Sequence, residues 1–138
     1  MIVIDTNIFS ELMKTSPTPS VISWIDSQEA TQLFITTITI AEISYGITAL
    51  PDGNRKRILE DSFDNVLKAA FTHRILSFDE QAAQAYGKVM GHRKLLGRPL
   101  SIPDGQIAAI AIVHDSAIAT RNVRGFADCD LEIINPFD

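Results

Sequence analysis

The 138 residues contain a single cysteine, Cys129, so neither an intramolecular disulfide nor a cysteine-rich zinc site can form. Long apolar runs are also missing. The longest, Ile107 to Val113, falls far short of the ~20 residues a membrane helix needs. No basic stretch precedes an apolar one at the start, and Asp5 interrupts the first apolar run, so no secretory leader is expected. These absences together point to a cytoplasmic protein. Positive charge is scarce: 12 Lys and Arg stand against 17 Asp and Glu, for a formal net charge of −5. That balance argues against a protein that grips DNA through a basic surface. His73, His92 and His114 are scattered, with no helical His pair and no Cys partner, so zinc chemistry has no ligand set. There is no Gly-x-Ser-x-Gly elbow and no phosphate-cradling glycine loop. An Asp-x-Asp phosphatase motif would need a second Asp where this chain has Asn7.

What the chain does have is apolar content and order. It is 46% hydrophobic, enough for a core, and its length suits one domain spanning residues 1–138. Strand-like segments alternate with helix-like ones. Residues 2–5, 33–36, 74–78, 117–120 and 132–134 read as strands. Residues 7–14, 20–27, 38–50, 53–70, 79–96 and 104–114 read as helices. Two apolar stripes follow from helical spacing: Ile38, Ala41, Tyr45 and Ala49 on one helix, and Ala82, Ala83, Tyr86, Val89 and Met90 on another, which Asp79 should N-cap. Alternation with short turns means an α/β fold, a parallel sheet covered on both faces. The pattern leaves strand order open.

Three acids sit in odd company. Asp5 ends the first apolar strand, where open α/β sheets place their ligands. It reads either as a helix cap, with Thr6 and Asn7 following, or as a site carboxylate. Glu42 is the only charge in a mostly apolar helix start; it reads as a dipole-favoured first-turn acid or as a buried group needing a cation or donor. Asp104 follows Pro103 at the start of a helix apolar almost all round, with the same two readings. Converging carboxylates repel unless a cation joins them, and hard oxygen ligands favour Mg²⁺ or Mn²⁺. Such an ion suits a phosphate substrate. The basic residues fall in three groups: Arg55 to Arg57, Arg93 and Lys94 with Arg98, and Arg121 with Arg124. They read as solvated faces, except that the last lies beside the acids and suits a phosphate. Trp24 and Phe34 read as core rather than base-stacking platforms. Leu12, Val21, Trp24 and Ile25 offer more apolar surface than a thin helix pair needs, so an oligomer built on the N-terminal helices is expected.

Several stretches in the same order carry a resemblance over nearly the whole chain. They are Ile4 to Leu12, Thr39 to Gly46, Arg74 to Asp79, Pro103 to Ala109, Ala119 to Phe126, and Ile134 to Phe137. The chain resembles the PIN-domain ribonucleases, in particular VapC-like toxins of the FitB type. The resemblance implies a three-layer α/β/α fold with a five-stranded parallel sheet. It implies Mg²⁺- or Mn²⁺-dependent endonucleolytic cleavage of RNA by activated water, leaving a 3′-hydroxyl and a 5′-phosphate. It also implies a homodimer silenced by a small antitoxin, in an assembly that reaches DNA through the antitoxin. The family's acidic positions fall on Asp5, Glu42 and Asp104; its small polar and basic positions fall on Thr6, Asn7, Thr120 and Arg121. Asp5 and Asp104 would hold metal directly and Glu42 through water or as orienter of the nucleophile, with Asn122 in support and Arg121 on a phosphate. The chain departs from the pattern at the fourth acid, since Asn122 and Gly125 stand at the two places where relatives carry Asp. That departure favours one rival, a weakly active antitoxin-binding partner engaged mainly in autoregulation; a second rival is a small-molecule phosphohydrolase using the same acids.

Overall fold

Neighbouring residues of the first strand, β1 (Ile2–Ile4), bury on opposite faces: Val3 belongs to one apolar core and Ile4 to another. Ile118 and Ala119 divide the same way in the strand beside it, Ala117–Ala119. Both faces of the sheet are therefore covered, as its apolar strands require. The computed structural model describes all residues 1–138. With β2 (Leu33–Thr36), β3 (Ile75–Leu76), β4 (Ala117–Ala119) and β5 (Ile133–Ile134), β1 forms one parallel sheet in the order β3-β2-β1-β4-β5. The α/β/α expectation is borne out. Both edge strands have only two residues, which limits edge-to-edge pairing.

The order fixes where a ligand belongs. Connections leave β1 towards β2 on one side and reach β4 on the other, so the crevice beyond the carboxyl ends of β1 and β4 is the topological switch point. Helices α1 (Thr6–Leu12), α2 (Pro19–Ser27) and α4 (Asn54–Ala70) cover one face, with Phe9 packed between Phe63 and Phe71 at 5.8 Å centroid distances. On the other face α6 (Ile102–Val113) lies against the sheet through Ile107, Ala108 and Ala111. The helix α5 (Glu80–Leu95) packs on α6, and α7 (Val123–Phe126) adds Phe126 to the second core. Close approach of α5 and α6 depends on Gly105: a Cβ there would lie 2.4 Å from Met90 Sδ. The helix α3 (Thr37–Thr48) touches both cores, Ile40 and Ile43 on the first and Ile38 on the second.

Three local expectations differ from the structure. The stripe Ile38, Ala41, Tyr45, Ala49 is largely the outer side of α3, with Tyr45 77% exposed; Thr39, Ile40, Ile43 and Ile47 face inward. Thr39 is accommodated there because its hydroxyl is bonded, as described below. On α5, Ala83 is exposed while Ala82 and Val89 are buried; Asp79 does cap this helix, accepting from Ala82 N at 2.9 Å. On the N-terminal helices Val21 is fully buried, while Leu12, Trp24 and Ile25 pack on the first core and stay half-buried. The short α7 was not expected, because four residues give no periodicity to read.

Candidate active site

Asp5 stands where β1 ends, 4% exposed. Its backbone N–H donates to Ala119 O at 2.9 Å, which fixes it against the end of β4. Its carboxylate accepts from Thr6 N at 2.8 Å, Thr120 Oγ1 at 2.7 Å and Asn7 Nδ2 at 3.2 Å. The bond from Thr6 N caps α1; the bond from Thr120 crosses to the next strand. The two readings of Asp5 are thus compatible, because one carboxylate oxygen serves each. Despite these donors, burial raises its pKa to about 6, and the negative charges of Asp104 and Glu42 push the same way.

Glu42 is the sixth residue of α3, beyond the first turn, so the helix dipole does not account for it. Its Oε1 accepts from Thr6 Oγ1 at 2.7 Å. The Thr6 hydroxyl has only one proton, so Thr39 Oγ1, 2.9 Å away, donates to it. Thr39 lies one turn before Glu42 on the same helix face, and its part went unread in the sequence. The signal was a β-branched hydroxyl residue at that spacing from a lone acid.

Asp104 lies in the first turn of α6, its N–H bonded to the cap Ser101 Oγ at 3.3 Å. Its Oδ2 accepts from Asn122 Nδ2 at 3.2 Å. Asn122 also donates its backbone N–H to Thr120 Oγ1 at 2.9 Å, and its Oδ1 accepts from Gly125 N at 3.1 Å, capping α7. The three acids are therefore joined in one chain of hydrogen bonds: Glu42 to Thr6 to Asp5 to Thr120 to Asn122 to Asp104. Asn7 Oδ1 accepts from Arg121 N at 3.2 Å, which ties in the next residue. The Arg121 guanidinium lies 4.6 Å from the ring centre of Phe137.

No cationic side chain pairs with any of the three acids; the ion pairs are Lys14–Glu11, Lys56–Asp52 and Arg98–Asp128. Nor do three such side chains close into a ready-made metal cage. Asp104 Oδ1 and Glu42 Oε2 accept no hydrogen bond and are free to receive one or to ligate. Uncompensated hard-oxygen donors with open positions between them suit a divalent ion that keeps several waters, and do not suit zinc.

The PIN domain family matches residues 2–130. The VapC ribonuclease Y4jK of Sinorhizobium fredii is 38% identical over 138 residues, covering 100% of this chain and 99% of the relative. The toxin FitB of Neisseria gonorrhoeae is 34% identical over 137 residues, covering 99% of each. Among solved structures, FitAB bound to the IR36 DNA fragment contains a chain that superposes with a TM-score of 0.92 at 33% identity, covering 100% of this chain and 96% of that one. The chain belongs to the PIN-domain family, in its VapC- and FitB-like branch.

Proposed function

We propose that this chain is the toxin of a toxin–antitoxin pair, a divalent-metal-dependent endoribonuclease that hydrolyses RNA phosphodiester bonds. The observation that carries the reading is the acid chain at the switch point, three carboxylates linked by threonine and asparagine with no cation among them. Asp5 and Asp104 would hold Mg²⁺ or Mn²⁺, with Glu42 joined through water. When bound, such an ion lowers the pKa of water and offsets charge on phosphoryl oxygens.

The chain's own residues do the rest. Thr6, Thr120 and Asn7 hold the Asp5 carboxylate in one orientation. Thr6, itself held by Thr39, fixes Glu42 by one oxygen and leaves Oε2 to take the proton from the attacking water. The water oxygen bonds to phosphorus, the P–O3′ bond breaks, and the 3′-oxygen takes up a proton. The products are a 3′-hydroxyl and a 5′-phosphate. Arg121, its guanidinium over the Phe137 ring, is placed to swing to a backbone phosphate on the same rim. Purified, antitoxin-free protein incubated with total RNA and Mn²⁺ should yield such ends on mapping; intact RNA, or 2′,3′-cyclic ends, would refute this reading.

A partner role is compatible with the same surface. A groove of about 420 Å³ opens from Glu42 over Met13, Ile43, Ile47 and Leu59, with Lys14 and Arg55 at its margin. It suits the apolar face of an antitoxin segment that covers the site. The relative FitB occurs in a complex that holds DNA, and the net charge of −5 here leaves DNA contact to the antitoxin. A homodimer would draw on the N-terminal helices, where Leu12, Trp24 and Ile25 remain half-buried. The reading as a mainly regulatory partner rests on Asn122 and Gly125, which leave the fourth acidic place neutral.

A further inference from the structure

Arg93 is buried, 4% exposed, and has no acidic partner. A buried guanidinium without acceptors costs several kcal/mol, so its donors must be satisfied. Nε donates to Arg98 O at 2.7 Å, while Nη1 donates to Gly125 O at 3.0 Å and Ala127 O at 2.5 Å. These carbonyls belong to two separate segments. Arg98 lies in the turn leading to Ser101, which caps α6 at Asp104. Gly125 carries the N–H that holds Asn122 Oδ1, and Asn122 in turn donates to Asp104. The contacts close into a ring that runs from Arg93 through both segments and meets again at Asn122 and Asp104.

Gly125 supplies a second, independent constraint. A Cβ at that position would lie 2.1 Å from Asn122 Nδ2, so the amide occupies the space that any other residue would fill. Asn122 is thus pinned by its hydrogen bonds on one side and by the absence of a side chain on the other.

We propose that Arg93 is a positioning residue for the acidic site. Its guanidinium ties the turn before Asp104 to the loop after Asn122 and so sets the contact between them, touching neither metal nor RNA. The effect on metal rests on the reading of Asp104 as a ligand; the effect on Asn122 does not.

Amide hydrogen exchange and Mn²⁺ calorimetry on the full chain test this with Arg93→Lys, which keeps the charge but cannot fork to both segments. Exchange at the Gly125 amide should quicken about tenfold, while the Ala82 amide at the far end of α5 stays as in the wild type. Mn²⁺ affinity should fall about 10- to 100-fold, the size found for groups that orient metal ligands. Asn122→Ala should give a similar loss, and the double variant no more than either single one. Should Arg93→Lys fail to fold, Arg93→Gln, whose single amide cannot reach both segments, takes its place with the same two readouts. Unchanged Gly125 exchange in a folded Arg93 variant, or additive losses in the double variant, would overturn the proposal. If Asp104→Asn binds Mn²⁺ like the wild type, the ligand reading fails, and Gly125 exchange still decides the role of Arg93.

Discussion

Glu42 rises from the middle of α3 and is held by the Thr6 hydroxyl of α1, which Thr39 of α3 holds in turn, whereas Asp104 starts α6 and is held by an amide from a loop. The Glu42 side is built on regular elements. Thr6 and Thr39 sit on helices whose packing on the first core already fixes them. The Asp104 side depends on residues 97–101 and 120–129, which have little regular structure of their own and are joined through Arg93. The first arrangement suits a group that must meet a proton at one defined place. The second suits a ligand whose partner is set by a removable contact. The two ends should therefore fail differently.

The largest difference is expected between Glu42→Gln and Asp104→Asn. Loss of the proton acceptor should lower kcat roughly 100-fold or more while the Mn²⁺ concentration for half-maximal cleavage changes little. Asp104→Asn should instead raise that concentration about 10- to 100-fold, and excess metal should recover much of the rate. The comparison breaks if both variants shift metal demand equally.

Asp5, in the centre, has a pKa raised from 3.8 to about 6, so the metal-free native state binds its proton more tightly than the unfolded chain does. For an acid raised in this way, stability is greatest below about pH 4 and declines as pH rises through 6. In chelator, Asp5→Asn should match the wild type near pH 4 and exceed it by on the order of 2 kcal/mol above pH 7. Chemical denaturation across that range reads the difference; parallel profiles for the two proteins would contradict the burial of a charged Asp5.

Asn122→Asp keeps a good helix cap for α7 but loses the Nδ2 donor to Asp104; with metal bound, the added carboxylate should outweigh that loss, so Mn²⁺ should bind up to about tenfold more tightly at low metal. Gly125→Asp places its carboxylate at the other neutral position, but a Cβ there would lie 2.1 Å from Asn122 Nδ2, so the Asn122 amide must shift and its contact to Asp104 should loosen, lowering Mn²⁺ affinity. Calorimetry on the two variants should show opposite signs. The smallest effect belongs to Thr39→Val, which leaves the Thr6 hydroxyl without its donor and should cost about 1 kcal/mol in stability with less than a tenfold fall in rate.

The strands and most helices were legible because short continuous apolar runs mark strands covered on both faces, and apolar residues recur every three to four positions in helices. Strand order was not, since no local pattern says which side of β1 receives β4. At the site, Asp5, Glu42 and Asp104 stood out as acids in apolar surroundings. Thr39 did not, because a buried hydroxyl is recognisable only once its partner Thr6, 33 residues away in sequence, is in place. Arg93 was hidden among neighbouring basic residues, and its burial depends on carbonyls up to 34 positions away.

The most direct test of a single metal-dependent ribonuclease site is cleavage of a defined RNA by the purified chain at saturating Mn²⁺. The wild type in excess chelator and Asp5→Asn at the same metal serve as comparisons. The account predicts cleavage by the wild type with Mn²⁺, none in chelator, and a loss of at least about 100-fold in Asp5→Asn. Undiminished cleavage in chelator or by Asp5→Asn would contradict it.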